Sequence, residues 1–399
     1  MLSLIALACS GGPEIPAPAA PIGASAVDQL RALGYLDAAE DDGGLTSGLE
    51  LIDPRRSAPG YNLFVSRNLR RADLIDAQGE LLHTWSYGAE GAWTRALLQP
   101  DGSLLVVGST ASPRQNNTHV DSSRALMKLS WDSELIWQAS LNAHHDVTTT
   151  PEGQLLALDF EYREIPEIQP GLTFRDDRIT ALSPDGEILS SRSITEMLLA
   201  DPSVHTLRGV QPNSANGLEH VDLLHVNALS LLPPSEHAGP IYEQGNLLAC
   251  SRHQDLIFVL DLEQERAVWA WGPGEISGPH DPSMLANGNV LLFDNGLGRG
   301  WSRVLELDPR TDTVVWEYKA DPPEDLYTAS RGSAQRLDNG NTLIAVSDKG
   351  RAIEVTPAGE VVWAFNNPNV LGAGKRATFN RMERLPASLV EPLLRSHTP

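Results

Sequence analysis

One repeated unit limits what this chain can fold into. Each copy has an acidic residue beside a glycine turn, an apolar pair that in most copies leads to Trp, a variable loop, and a second glycine turn before an apolar strand. The first halves of the six copies are Leu74–Trp85, Leu129–Trp137, Leu182–Leu189, Leu260–Trp271, Leu307–Trp316 and Val355–Trp363. A period of roughly 45 residues with about four short strands is the spacing of β-propeller blades. The sequence therefore predicts an all-β fold, a six-bladed β-propeller, with the Trp side chains packed between blades.

The two ends of the chain are expected to close the ring. The sixth copy is incomplete after Asn380–Pro386, and two further strands are predicted near the start of the chain, Tyr61–Ser66 and Ala72–Asp76. If these N-terminal strands join the C-terminal blade, no open sheet edge remains to be protected. We therefore expect the propeller, as the catalytic domain, to occupy residues 61–399.

The residues before the propeller have a different composition. Met1–Ala8 is apolar and is followed by Cys9-Ser-Gly-Gly, a pattern similar to the end of a bacterial lipoprotein signal. We expect residues 1–20 to be such a segment, with a possible lipid anchor at Cys9, and residues 21–60 to be a flexible tether with a possible short helix at Val27–Leu36. The expected location is outside the cytoplasm, in the periplasm or anchored to the outer membrane. The second cysteine, Cys250, is predicted to be a buried strand residue.

Charge limits the ligands that such a protein can bind. The chain has 30 Lys and Arg against 52 Asp and Glu, a formal net charge of −22. Nucleic-acid binding requires a basic footprint, so no nucleic-acid partner is expected. An anionic substrate would have to be attracted by a local cluster of Arg and His within this acidic shell.

Histidines recur in the variable loops that lead into the predicted innermost strands. These loops contain His144-His145-Asp146, His225-Val226-Asn227, Ser251-Arg252-His253 and His280-Asp281. Equivalent positions of a closed ring converge on its axis, so the sequence predicts that these side chains form one cluster at the central channel. His280, which precedes the apolar strand Val290–Phe293, is the candidate that its surroundings single out most clearly.

The residue types in this cluster limit the ligands it can bind and the reactions it can catalyse. Three neutral imidazoles could bind a transition metal, but an Arg among them would repel the ion, so no metal or cofactor is expected. Arg with His and Asn donors suits a tetrahedral oxyanion such as sulfate, sulfonate or phosphate. The sequence has no phosphate-binding G-x-x-x-x-G-K-[ST] motif and no G-x-S-x-G motif. Histidine is therefore the candidate nucleophile or acid–base group.

These motifs together resemble the bacterial arylsulfate sulfotransferase family. The resemblance runs from about Ala58 to Pro386 and includes H-H-D, H-V-N, S-R-H-Q, and His280 followed by F-D-N-G and S-R. It implies a six-bladed propeller that transfers a sulfuryl group from an aryl sulfate to a phenol through a sulfo-histidine, without a nucleotide donor. It also implies the residue roles: His280 as nucleophile, with the catalytic and substrate-binding groups His145, His225, Arg252, Asn227, His144, His253 and Asn295 around it. Within that set, Arg252, His225 and Asn227 would hold the sulfuryl oxygens, and His145 rather than His144 would complete the cradle.

Two departures from the family pattern leave properties open. We expect no separate N-terminal β-domain of the kind that better-known members have, so a homodimer is possible but its arrangement is not defined. Asp281-Pro282 follows His280 where Thr-Ala would be expected, which leaves donor preference and activity open.

Two other interpretations use the same ring. In a propeller polysaccharide lyase, a His would act as base, an Arg would neutralise a uronate, and a tyrosine such as Tyr162, Tyr242 or Tyr327 would act as acid. None of these tyrosines lies in a repeated motif position. In a non-catalytic lipoprotein, the propeller face would bind a partner or glycan, and replacement of His280 would leave that function intact.

Overall fold

The computed structural model describes residues 47–88, 91–109, 124–215, 218–371 and 375–397, with only the backbone for 213–215 and 218. Cys9 and the predicted helix at Val27–Leu36 lie outside the described residues. Within the described residues, no helix is both long and apolar enough to cross a bilayer.

The described chain forms six antiparallel sheets, or blades, around a common axis. Blade 1 contains β2 Tyr61–Ser66, β3 Arg71–Ile75 and β4 Leu81–Ser86; blade 2 contains β5 Trp93–Leu98, β6 Leu104–Ser109, β7 Arg124–Leu129 and β8 Leu135–Ala139; blade 3 contains β9 Val147–Thr149, β10 Leu155–Glu164, β11 Thr173–Leu182 and β12 Ile188–Ser193. Blade 4 contains β15 Val226–Leu231, β16 Leu247–Ser251, β17 Leu256–Asp261 and β18 Arg266–Trp271; blade 5 contains β19 His280–Met284, β20 Val290–Asp294, β21 Arg303–Asp308 and β22 Thr313–Tyr318; blade 6 contains β23 Ser333–Arg336, β24 Thr342–Val346, β25 Arg351–Val355 and β26 Val361–Asn366.

The other strands and the helices are attached to this ring. The remaining strands are β1 Gly48–Ile52, β13 Asn213–Ala215, β14 Leu218–Asp222, β27 Val370–Leu371, β28 Lys375–Arg376 and β29 Phe379–Leu385. The helices are α1 Ile194–Leu199 and α2 Ala387–His397, with single 3₁₀ turns at Arg67–Leu69, Pro240–Tyr242, Pro323–Leu326 and Ser347–Lys349. Strand β14 runs parallel to the extended end of β11, so the long insertion after blade 3 is attached to that blade.

The innermost strands contact one another in cyclic order, β29, β5, β9, β15, β19, β23 and back to β29. The predicted six-bladed propeller, closed by N-terminal strands that meet the C-terminal strand, is therefore confirmed. The division of the shared blade differs from the prediction, because three N-terminal strands pair with the single strand β29. Strand β4, which the first repeat includes, is the outer strand of the same sheet as β2, so the predicted count of two N-terminal strands was one too low.

Strand β1 extends the sixth blade at its outer edge. It pairs antiparallel with β26, and Leu49 lies opposite Phe365. This strand belongs to the predicted tether of residues 21–60 and was not anticipated from the sequence. It covers an edge that would otherwise present unpaired backbone groups.

The repeated tryptophans join neighbouring blades, as predicted. The indole N–H of Trp137 donates to the carbonyl of Pro184 in the next blade, and that of Trp316 donates to Pro357. Trp363 of blade 6 donates to Ala77 of blade 1 and is fully buried. Each indole therefore contributes apolar area and also satisfies a turn carbonyl of the following blade.

Helix α2 packs against blades 1 and 2. Val390 and Leu393 are buried in the same apolar cluster as Trp131, and the His397 ring stacks on Trp131 with centroids 4.8 Å apart. Helix α2 thus places the end of the described chain beside the blades that the chain closes.

Candidate active site

The candidate residues meet at one end of the propeller, where the innermost strands begin. His280 opens β19, His225 directly precedes β15, and His145 lies two residues before β9. Arg252 and His253 follow β16, whose end lies beside the start of β15 because the strands are antiparallel. The ring centroids of His145 and His225 are 5.2 Å apart, and those of His225 and His253 are 4.8 Å apart.

An unusual backbone conformation marks this end of four consecutive blades. His145, His225, Asp281 and Arg331 all have positive φ, at 55°, 49°, 53° and 67°. Such angles are uncommon for residues other than glycine and concentrate at functional sites. The hydrogen bonds that close the following hairpins, from Thr150, Leu232 and Leu285, give the register of the three strands. In that register His145 and His280 occupy equivalent positions, and His225 lies two residues earlier.

His280 is buried and held in one tautomer. Its Nδ1–H donates to Oδ1 of Asn295 at 2.7 Å and lies 3.0 Å from the carbonyl of Gly278. Its Nε2 accepts the backbone N–H of Arg331 at 3.2 Å. Burial, together with the charge of Arg252, lowers the pKa of His280 to about 3. The imidazole is thus neutral at ordinary pH and carries its lone pair on Nε2.

Asn295 follows strand β20 and supports His280. Its Nδ2 donates to the carbonyls of Thr328 and Arg331, at 2.8 and 2.7 Å, while its Oδ1 accepts from His280. The whole amide is engaged within the protein. Asn295 therefore orients His280, and the structure does not place it as a direct substrate ligand.

Arg252 is a buried cation of this cluster. Its side chain is 9% exposed, and among the described residues neither Nε nor Nη2 has a hydrogen-bond partner. Burial lowers the pKa of Arg252, whereas Asp222 and Asp255 raise it. A guanidinium remains charged in proteins, so Arg252 offers two unused donors to an anion.

Asn227 lies between Arg252 and the segment that leads to His280. Its Nδ2 donates to the carbonyl of Pro279 at 3.0 Å, and its Oδ1 accepts the thiol of Cys250 at 2.8 Å. Cys250 is buried in β16, as predicted. Asn227 therefore fixes the backbone next to His280 with most of its hydrogen-bonding capacity.

Asp222 organises two more imidazoles. Its Oδ2 lies 2.6 Å from Nδ1 of His225 and 2.9 Å from Nη1 of Arg175, and its backbone carbonyl accepts from Nδ1 of His253 at 2.6 Å. Both imidazoles are held through Nδ1, so Nε2 is the atom left for a ligand. Burial raises the pKa of Asp222, but the guanidinium of Arg175 outweighs this effect and holds that pKa well below its usual range.

Three of these side chains lie close enough together to be considered as ligands of one metal ion. The ligand atoms of Asp222, His225 and His253 lie within 4.8 Å of one another. However, Nη1 of Arg175 is 2.9 Å from Asp222 Oδ2 and 3.5 Å from His225 Nδ1. A fixed guanidinium already neutralises the carboxylate at the place a cation would take, so this group does not fit a metal ion.

His144 lies behind His145 and is 2% exposed. The two Nδ1 atoms are 2.8 Å apart, and His144 Nε2 lies 3.3 Å from both the carbonyl of Asp159 and Oδ1 of Asp177. Burial and the charge of Arg175 lower the pKa of His144 to about 4, and burial with His144 lowers that of His145 well below its usual range. Both imidazoles are therefore neutral.

A chain of buried charges lies beside the site. Arg381 contacts Asp281 at 2.5 Å and Asp146 at 3.1 Å, and Arg95 links Asp146 to Glu383 at 3.1 and 2.9 Å. These residues come from blades 1, 2, 3 and 5. Asp281 is therefore part of an ion-pair network between blades, and Arg381 neutralises its charge.

Sequence reasoning missed Asp222, Arg175, Asp177, Arg331 and Arg381. Arg175 and Asp177 stand in R-D-D-R, an unusual polar run within the strand β11. That run was the available signal, because strand residues of this kind are buried only when paired. Arg331 contributes its backbone N–H, which no side-chain pattern reveals.

The tyrosines proposed for a lyase lie in three different surroundings. Tyr162 packs edge-on against Phe160 and His220. Tyr242 packs against His237, beside the turn at the opposite end of blade 5 from His280. Tyr327 lies close enough for its charge to raise the pKa of Arg252. Of the three, only Tyr327 is placed near Arg252 by these contacts.

Comparisons of structure agree with the fold. A protein of unknown function from Bacteroides caccae matches with a TM-score of 0.52 and 14% identity, over 82% of this chain and 98% of that chain. Virginiamycin B lyase from Staphylococcus aureus matches with a TM-score of 0.44 and 11% identity, over 80% of this chain and 89% of that one. At 14% identity, the match to the Bacteroides caccae protein speaks for the fold alone.

Comparisons of sequence identify the family. Among curated proteins, none is significantly similar in sequence to this chain. The family model described as arylsulfotransferase (ASST) matches residues 123–368, which is more than half of the chain and includes the motifs H-H-D, H-V-N, S-R-H-Q and F-D-N-G. The chain belongs to the arylsulfotransferase family.

Proposed function

We propose that the protein is a sulfotransferase that moves a sulfuryl group from an aryl sulfate to a phenolic acceptor, without a nucleotide donor, through a sulfo-histidine on His280. The observation that carries this proposal is the pairing of a neutral His280 with Arg252. The imidazole has its lone pair on Nε2, and the buried guanidinium has two donors that the described residues leave unused. A nucleophile beside an unpaired cation suits an anionic electrophile.

In the first half-reaction, Nε2 of His280 attacks the sulfur of the aryl sulfate. The bond from sulfur to the aryl oxygen breaks, and its electron pair leaves with the phenolate. Nε2 must first release the backbone N–H of Arg331, at 3.2 Å, and that N–H is then available to a sulfuryl oxygen. Arg252 stabilises the charge on the same oxygens.

In the second half-reaction, the oxygen of an acceptor phenol attacks the sulfur of sulfo-His280, and the phenolic proton passes to a basic group of the site. The nitrogen–sulfur bond breaks, and its electron pair returns to Nε2. The Asn295 oxygen, 2.7 Å from Nδ1, keeps the imidazole in the same tautomer throughout. Donor and acceptor use the site in turn, so ping-pong kinetics are expected.

The test uses 4-nitrophenyl sulfate as donor and phenol as acceptor. Released nitrophenolate is followed by absorbance, and the adduct on His280 is identified by mass spectrometry of rapidly quenched protein. Turnover and adduct should both disappear in His280→Ala. Absence of release and of adduct in the wild-type protein across several phenols would refute the proposal and favour the non-catalytic interpretation.

We also propose, from the sequence pattern at Cys9, that the protein is exported and carries a lipid on this residue. Mass spectrometry of the protein from a membrane fraction should find a diacylglyceryl group on Cys9. In Cys9→Ser the protein should move to the soluble fraction. Wild-type protein that lacks the lipid would refute this proposal without affecting the sulfotransferase assignment.

A further inference from the structure

We propose that His145 is the general base that accepts the proton of the phenolic acceptor, and that buried His144 is the positioning residue that receives this proton in turn. This inference rests on the proposed function and deepens it. It assigns to His144 and Asp177 a role in the acceptor half-reaction, which the cradle for sulfuryl oxygens does not require.

The hydrogen bonds determine where each proton lies. The carbonyl of Asp159 can only accept, so His144 Nε2, 3.3 Å away, carries a hydrogen. The neutral His144 ring then has its lone pair on Nδ1. His145 Nδ1, at 2.8 Å, must donate to it. The lone pair of His145 is therefore on Nε2, the atom free to meet a substrate.

This pair can accept a proton without placing a charge at the substrate. When the acceptor O–H bond breaks, the proton goes to His145 Nε2, and the proton on His145 Nδ1 moves to His144 Nδ1. His144 becomes an imidazolium, with Asp177 Oδ1 and the Asp159 carbonyl oxygen each 3.3 Å from its Nε2. The proton is released to solvent after the new aryl sulfate leaves.

The other imidazoles of the site are held differently. His225 is bonded to the carboxylate of Asp222, which Arg175 already neutralises. His253 is bonded to a backbone carbonyl, which has no proton to exchange. Among the described residues of the site, only His145 shares a hydrogen bond with a second imidazole, that of His144. Blade 4 also separates His145 in blade 3 from His280 in blade 5, which suits an acceptor that enters opposite the His280 nitrogen.

The protonation states leave both rings able to accept a proton. Burial lowers the pKa of His144 to about 4 and lowers that of His145 well below its usual range. Both rings are thus neutral in the free protein, as a base must be. A nitrophenolate leaving group needs no proton, so the donor half-reaction with 4-nitrophenyl sulfate makes little demand on this pair.

The experiment separates the two half-reactions in the full chain. Wild type, His144→Gln and the matched control His253→Gln are each mixed with 4-nitrophenyl sulfate, and the burst of nitrophenolate and the His280 adduct are measured. Phenol is then added, and decay of the adduct is followed. Melting temperatures establish that each variant is folded.

We expect His144→Gln to slow transfer to phenol about 10²-fold more than it slows adduct formation, within the range of general base catalysis. With pentafluorophenol, which is ionised at neutral pH, this extra deficit should vanish. His253→Gln should slow both half-reactions by similar factors. Equal slowing of both halves in His144→Gln, or a deficit that persists with the ionised acceptor, would overturn the inference. Absence of adduct in the wild type would instead overturn the proposed function.

Discussion

Replacement of Arg252 by Met should make the protein more stable and inactive. The guanidinium is 9% exposed, and Nε and Nη2 have no partner among the described residues. An unsatisfied buried donor costs about 1–3 kcal/mol. Met has a similar length and no polar hydrogen, so it retains much of the packing of the side-chain stem while it removes these costs.

The substitution should raise the stability of the protein and lower its activity. Replacement of a buried ion pair by apolar side chains stabilises proteins by about 1–4 kcal/mol in favourable cases, and removal of two unsatisfied buried donors is expected to fall in the same range. At about 2 °C per kcal/mol for a large domain, the melting temperature should rise by roughly 2–8 °C. Loss of one donor to a developing oxyanion costs about 10²–10³ in rate. Loss of two donors and their charge should therefore reduce kcat/KM by about 10³ or more.

A second buried arginine provides the matched control. Arg384 is 6% exposed, but its guanidinium contacts Asn62 Oδ1, the Ala58 carbonyl and Glu354 Oε2. In Arg384→Met the fully buried Glu354 would lose its counter-charge, which costs about 3–5 kcal/mol. The two Arg→Met variants should thus shift the melting temperature in opposite directions.

Thermal melting with and without sulfate measures both parts of this prediction. A ligand that binds only the folded state at 100 times its dissociation constant stabilises by about 2.7 kcal/mol. Wild type should gain from sulfate, and Arg252→Met should not. A melting temperature for Arg252→Met well below that of the wild type, or the same gain from sulfate in both proteins, would refute the reasoning.

Three further predictions concern the support of the site and the fold. Asn295→Leu removes the acceptor that fixes the His280 tautomer, so the nitrophenolate burst should slow by at least about 10², the scale of a lost acid–base contribution; an unchanged burst rate would contradict this. Trp363→Ala should lower the free energy of unfolding by about 3–5 kcal/mol, because this indole is fully buried. Trp316→Ala, at a partly exposed position, should lower it clearly less. Equal losses of the two variants in urea denaturation would contradict this prediction. Because the pKa values of His144 and His253 lie near 4 and that of His280 near 3, the unfolded chain binds these protons first as pH falls below about 6.5. Melting temperature at constant ionic strength should accordingly fall between pH 6.5 and 3, and a value that stays constant down to pH 4 would count against neutral buried imidazoles.

The sequence was sufficient for the blade count because turn residues and Trp recur with the blade period. It did not define where one blade ends and the next begins. Each repeat was delimited by glycine turns, and these turns connect strands of the same sheet. This is why Leu81–Ser86 was assigned to the first repeat, although it shares a sheet with Tyr61–Ser66. Strand β1 and helix α2 have no counterpart in other repeats, so periodicity could not predict them.

The position of the site was also predictable, but the alignment of its residues was not. The histidine-containing loops do meet around Arg252, because equivalent loops of a ring converge. The shared feature of those loops is a left-handed backbone residue, and its identity differs: His145, His225, Asp281 and Arg331. In the register of the strands His145 and His280 are equivalent and His225 lies two residues earlier, so alignment of the histidines misplaced His225 and left Arg331 unnoticed.

Local sequence cannot predict which hydrogen-bond acceptor binds each buried arginine. Arg331 is bound by Asp348 and Thr378, and Arg384 is bound by Glu354 across 30 residues of chain. Arg252 stands in the same kind of polar loop, yet its Nε and Nη2 find no acceptor among the described residues. Burial of a guanidinium without a partner is unfavourable for folding, so its persistence beside His280 is explained if an anion completes the site. For this reason the unused donors of Arg252, more than the number of histidines, favour a sulfuryl group as the ligand.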